Sequence, residues 1–287
     1  MSGRSADSLS SYLAAVAEIR KSWSVPKRDE LWFRAEDARY RKTRLQPGLY
    51  RPREKSGIRR SIPTLLELEN DLYEEFQRCS AQLSDAKLSG NDWEWDSYFL
   101  MQHYGVPTRL LDWTDSALIA LHFAIRSKQM PATSGSVIYV LDPYWLLKKL
   151  DHDKDMTEAK ARWKKYSKDD SSVEGRDWDR LYLPADEDDL KDKLLETPAN
   201  PMLVDSPHVT RRIAAQRSRF MIFGTDPLWL SKFVGKKDSH LDSIRISAQS
   251  VNRIRQQLRD AGITESVVYP DLDGLGRELK QMWETRR

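Results

Sequence analysis

The sequence predicts an α+β fold, on three observations: short runs of β-branched and aromatic residues, longer stretches with apolar residues every three or four positions, and an irregular order between the two. The runs show no βαβ rhythm and no internal repeat, and no glycine-rich nucleotide loop of the Rossmann or P-loop kind occurs.

The first element is a helix over residues 9–23, with Leu13, Val16 and Ile19 or Arg20 at helical spacing and Pro26 as its stop. Residues 31–35, Leu-Trp-Phe-Arg-Ala, read as a buried strand carrying one arginine. After the Pro47-Gly48 turn, Leu65, Leu68, Leu72, Phe76, Cys79 and Leu83 mark the apolar face of a long helix from Thr64, with its charges on the opposite face. A second helix from Asp92 carries Trp95, Phe99 and Leu100 toward Tyr104, where Gly105 and Pro107 end it. Residues 117–125, capped by Asp115 or Ser116, are apolar on nearly every side and predict a buried helix. Residues 137–141 form a strand stopped by Asp142-Pro143. From Asp151 to about Asn200 dense charge surrounds Trp163, Tyr166 and Trp178, which predicts a helical insertion or mobile lid with a solvated surface. Strands follow at 220–223, 244–246 and 267–269, with helices at about 248–261 and 272–283.

The chain has 287 residues, of which 39% are hydrophobic and 10% aromatic, enough for a sizeable core and against disorder throughout. A leading helix at 1–25 and one domain over 26–287, with the charged insertion at about 151–200, is the expected organisation. No uncharged run approaches the roughly 20 apolar residues of a membrane span, and no secretory pattern opens the chain, so a cytoplasmic protein without a membrane partner is expected. One cysteine excludes an internal disulfide and a multi-cysteine zinc site, and Cys79 reads as a small buried hydrophobe. The histidines are scattered, so no metal site is expected. A formal charge of +3 does not demand a polyanionic partner, although clusters at 51–60 and 211–219 leave one open.

The most unusual run is residues 102–116: Gln102, His103, Tyr104, Thr108, Arg109, Asp112, Thr114, Asp115 and Ser116 crowd polar chemistry between two helices. Burying such a set is costly unless each group finds a partner. Two readings follow: a polar network holding a loop, with Arg109 paired to Asp112 or Asp115, or the wall of a ligand pocket. Trp113 reads as packing, with a base-stacking platform as the alternative. His122, within the apolar helix, reads as a satisfied core or interface residue.

Together with Trp32-Phe33-Arg34-Ala35-Glu36, Ala120, Phe123 and Ala124, the run Arg212-Ile213-Ala214-Ala215-Gln216 before Phe220, and the late Tyr269-Pro270-Asp271-Leu272-Asp273-Gly274, this motif resembles the FRG-domain family. Two positions depart from that pattern: Ala35 stands where the family has its eponymous glycine, and Ser218 where a glycine follows the glutamine. Each adds a side chain where the backbone could approach a ligand.

A more distant resemblance is to ADP-ribosyltransferases, and it implies a split β core with surrounding helices and NAD as co-substrate. An arginine on an early strand, a hydroxyl-bearing strand end leading into Ala-x-x-Phe-Ala, and a late polar residue at the nicotinamide ribose match Arg34, Thr114 with Ser116, and Gln216 in order. The resemblance implies Arg34, Ser116 and Gln216 as catalytic residues, and Arg34, His103, Tyr104, Arg109, Asp112 and Thr114 as NAD-binding residues. Cleaving the nicotinamide bond makes the ribose carbon oxocarbenium-like, so the site must hold the dinucleotide bent and favour developing positive charge. Gln216 supplies an amide rather than a carboxylate. Either it only orients the ribose, or Asp112, Asp115 or Glu36 is the electrostatic partner, or the pocket binds without reacting. His103 is the candidate general base, with a histidine bonding a loop carbonyl as the alternative. The expected acceptor is a macromolecule, narrowly a nucleic acid given Arg211, Arg212, Arg217 and Arg219, in a toxin or antiphage setting. The alternative is a non-catalytic FRG module that binds a nucleotide, nucleic acid or protein and regulates a partner.

Overall fold

Strands β1 (Arg4–Ala6), β2 (Trp32–Glu36), β3 (Leu110–Thr114), β4 (Ser136–Leu141), β5 (Met202–Val204), β6 (Ser218–Ile222) and β7 (Leu241–Ile246) form one mixed sheet in the order β1-β7-β4-β2-β3-β6-β5. The structure is a computed structural model that describes residues 4–52, 60–83, 93–126, 135–169, 178–184, 197–204 and 210–285. Helices α1 (Leu9–Ser22), α2 (Ile62–Leu83), α3 (Trp93–His103), α4 (Ala117–Arg126), α5 (Pro143–Asp151), α6 (Lys154–Asp169), α7 (Arg211–Ala215), α8 (Val251–Asp260), α9 (Glu265–Val268) and α10 (Leu272–Thr285) surround it. The fold is α+β. No helix among the described residues is long and apolar enough to cross a membrane.

Period-two alternation sends neighbouring strand residues to two cores. Phe33, Ile138, Val140, Ile244 and Ile246 pack with Ala120 and Ala124 of α4 and with Tyr12 and Ile19 of α1. Trp32, Leu111, Trp113, Tyr139 and Leu141 join the other core with Tyr98 and Phe99 of α3. The sheet parts at its middle. β2 pairs with β4 at five residues and β3 with β6 at five, whereas β2 and β3 meet only at Phe33 and Thr114.

Several expectations are corrected. The buried face of α1 is Tyr12, Ala15 and Ile19, and Leu13 is exposed, because the stripe is rotated by one residue from the predicted one. Residues 267–269 are not a strand: α9 occupies 265–268, held by Val268 N donating to Thr264 O (3.2 Å) and Tyr269 N to Glu265 O (2.8 Å). There the buried Glu265 side chain anchors the turn to His122, Arg126 and Arg277, which overrides β-branched preference. Pro143 does not only end β4; with Asp142 Oδ1 accepting from Tyr144 N (3.0 Å), it opens α5. α2 begins at Ile62 and does not keep all its charges outside, since Glu69 is fully buried, while Leu83 is 86% exposed and Cys79 only half-buried. The described part of the charged insertion is helical, and it contributes to the core. Its Tyr182 is fully buried and donates to Asn200 O at 2.8 Å. The expected start of a helix at Asp92 and most of the 51–60 cluster lie outside the described residues.

Candidate functional site

Where β2 and β3 part, a cleft of about 300 Å³ opens. Arg34, His103, Asp112, Thr114 and Gln216, brought from four separate elements, all line it. So do Ala35 and Ser218, the two positions that depart from the FRG pattern.

Arg34 bridges the parted strands. Its Nη1 donates to Asp112 O at 2.7 Å, a carbonyl on the neighbouring strand, and its Nε donates to Glu36 Oε1 at 3.0 Å. Its Nη2 has no partner among the described residues, and the side chain is 14% exposed. Behind Asp112 runs a polar chain. Buried Thr108 Oγ1 donates to Gln102 Oε1 (2.7 Å), and Gln102 Nε2 donates to Asp112 Oδ2 (2.8 Å), which lies 3.9 Å from Arg34 Nη1. Each member is satisfied, so the network fixes the Asp112 carboxylate at the mouth.

Thr114 Oγ1 donates to Gln216 O (2.8 Å) and accepts from Ser116 N (3.1 Å), so this hydroxyl stitches the end of β3 to the C-terminus of α7. The Gln216 Nε2 in turn donates to Val268 O at 3.3 Å, which leaves Oε1 as an acceptor. His103 lines the same cleft. Burial and then Arg212 hold its imidazole below the usual histidine value, against Asp271, which favours it as a neutral base near pH 7. Arg212 lies 4.6 Å over the ring of Tyr269, which also lines the cleft, and Arg126 and Arg277 crowd the same ring. The close approach of α10 explains Gly274: a Cβ there would stand 2.0 Å from Tyr269 O.

Three expected site residues fall elsewhere. Arg109 is 2% exposed and pairs with neither Asp112 nor Asp115. It donates to Glu69 and to the carbonyls of Tyr182 and Phe223, because a buried guanidinium needs a buried counter-charge and Glu69 of α2 supplies it. Ser116 caps α4, its Oγ accepting from Ile119 N at 3.4 Å, and it does not line the cleft. Tyr104 lies just past α3, 67% exposed and outside the lining. Asp115 pairs with Arg217 and Arg219. His122 is buried beside Glu265 (3.2 Å), and Trp113, packed in the core at 3% exposure, also lines the cleft. Phe99, Gln102 and Phe123 were not singled out for the site and do line it; Gln102 and Phe123 stand within the motifs quoted above.

The arrangement can hold a nucleoside-sized group beside one guanidinium with a spare donor, one half-exposed carboxylate and one oriented amide. The family model for the FRG domain matches residues 29–132, which carry Arg34, Gln102, His103, Asp112 and Thr114 but end before Arg212, Gln216 and Tyr269. Among curated proteins and among solved structures, nothing matches the chain.

Proposed function

We propose that this FRG-domain chain binds NAD in the opening between β2 and β3 and transfers ADP-ribose to a macromolecule, as ADP-ribosyltransferases do. The observation that carries this reading is the convergence of Arg34, Thr114 and Gln216 on one cleft at a parting in the sheet. At about 300 Å³ the cleft is at the lower end of ligand pockets and suits the nicotinamide riboside portion, with the pyrophosphate at the Arg34 guanidinium.

In the step itself the bond from the ribose C1′ to the nicotinamide nitrogen breaks, its electron pair leaving with neutral nicotinamide. An acceptor oxygen or nitrogen then bonds to C1′ and gives up its proton. Asp112 is the only carboxylate lining the cleft among the described residues, so it rather than Gln216 faces the developing positive charge. Gln216 orients a ribose hydroxyl through Oε1, and neutral His103 takes the acceptor proton.

Nicotinamide release tests this. Purified protein is incubated with NAD and with single-stranded nucleic acid or protein acceptors, comparing wild type, Arg34→Ala and Gln216→Ala. Release by wild type, lost in Arg34→Ala, supports the transferase. Tight NAD binding with no release under any acceptor supports a non-catalytic nucleotide-binding module instead, and free ADP-ribose without an acceptor supports plain hydrolysis.

A further inference from the structure

The arginine cluster that the sequence offers to a nucleic acid is largely spent within the protein. Arg217 and Arg219 both pair with Asp115, Arg219 also with Glu30, and Arg212 rests on Tyr269. Unpaired guanidiniums gather elsewhere, around a second cleft of about 770 Å³. Its floor is the sheet. Register places Arg34, Tyr139 and Ser243 in one row across β2, β4 and β7, and Glu36, Val137 and Arg245 in the next. All but Arg34 line this cleft, and Arg34 lines the first one, so the Arg34–Glu36 pair separates the two.

Arg41, Arg44 and Arg245 stand at the rim, exposed, and none has a hydrogen bond or ion pair among the described residues. Against them the lining sets Asp37 and Glu36, and Glu36 is already held by Arg34 (3.0 Å) and Arg51 (2.7 Å). The cleft therefore carries excess positive charge. It offers little to a base: Tyr139 is buried, and Arg51 covers the Tyr40 ring at 3.8 Å.

We infer that this second cleft holds the phosphodiester backbone of a single-stranded nucleic acid through Arg41, Arg44 and Arg245, reading charge rather than sequence. Its service as the acceptor's berth, one ion pair from the first cleft, rests on the transferase reading; the binding itself does not. Three exposed arginines around one cleft suit a chain of phosphates rather than a single one, as in grooves that track a single strand.

The test is fluorescence anisotropy of labelled mixed-sequence RNA and DNA 12-mers with wild type and with Arg44→Glu/Arg245→Glu, whose exposed sites leave the core intact, as matching circular-dichroism melts would verify. Wild type binds at low salt. The variant binds at least about 10-fold more weakly, and the slope of log K against log salt falls in magnitude by about 1.4 for two lost phosphate contacts. The NAD-induced thermal shift is the same in both. No binding by wild type, or unchanged affinity and slope in the variant, overturns the inference. Displacement of the oligonucleotide by inorganic phosphate at equal ionic strength and stoichiometric amounts also overturns it, reassigning the cleft to a small phosphate ligand. Strand binding without nicotinamide release leaves this inference standing and removes the transferase.

Discussion

Arg109 and Arg34 are the same side chain set in two environments. Arg109 is buried to 2% exposure, and its Nε, Nη1 and Nη2 all donate to protein oxygens, with Glu69 shared between it and Tyr98. Arg34 gives Nε and Nη1 to Glu36 and Asp112 but keeps Nη2 without a partner among the described residues, at the edge of a cleft. A guanidinium whose donors are consumed braces a core; one with a donor to spare is placed to meet an anion. The contrast separates architecture from site within a single motif.

The largest effect expected from it is in the closed network. Glu69→Ala leaves Arg109 as an uncompensated buried charge and lowers unfolding free energy by about 3–5 kcal/mol in urea denaturation. Wild-type stability in that variant would erase the distinction. A second closed network supplies a pH signature. Burial pulls His122 down to about 4, with Glu265 opposing, so the folded protein excludes a proton that the unfolded chain accepts near pH 6.5. Stability is therefore lost as pH falls from about 6.5 toward about 4, by about 2 kcal/mol at pH 5, and His122→Gln flattens that window. Urea midpoints at pH 7 and pH 5 for both proteins measure it.

Smaller stability changes are expected at the open site. Arg34→Ala removes two hydrogen bonds at a partly solvated position and costs about 1–2 kcal/mol, while NAD affinity falls at least about 10-fold. Arg34→Lys keeps the charge without the fork and recovers only part of that affinity. Smallest of all is Tyr104→Ala: an exposed side chain outside the lining changes stability by no more than about 0.5 kcal/mol and leaves NAD affinity as it was. A large loss of affinity there would redraw the cleft.

Local signals made part of this site legible. The resemblance to ADP-ribosyltransferases pointed to Arg34, Thr114 and Gln216, and the dense polar run 102–116 held His103 and Asp112. Arg109 was misplaced because its partner lies 40 positions earlier, on a helix whose charges all read as solvated. Yet the spacing does mark Glu69: it stands four residues after Leu65 and three before Leu72, within the apolar stripe of α2, and the expectation that all charges face outward passed over it. Ser116 stands one residue before a helix, where capping competes with chemistry for the same hydroxyl. β1 and β5 are three residues each, too short to show an alternation, and they exist because β7 and β6 offer them edges. The parting between β2 and β3, which makes the cleft, is a property of register across the sheet and leaves no mark on either strand alone.

Isothermal titration of NAD into wild type and Arg34→Ala tests the central claim most directly. Saturable binding by the wild type, lost in a variant that still unfolds cooperatively, is the predicted result. No binding by the wild type, or equal binding by both, would contradict the assignment of the Arg34 cleft to NAD.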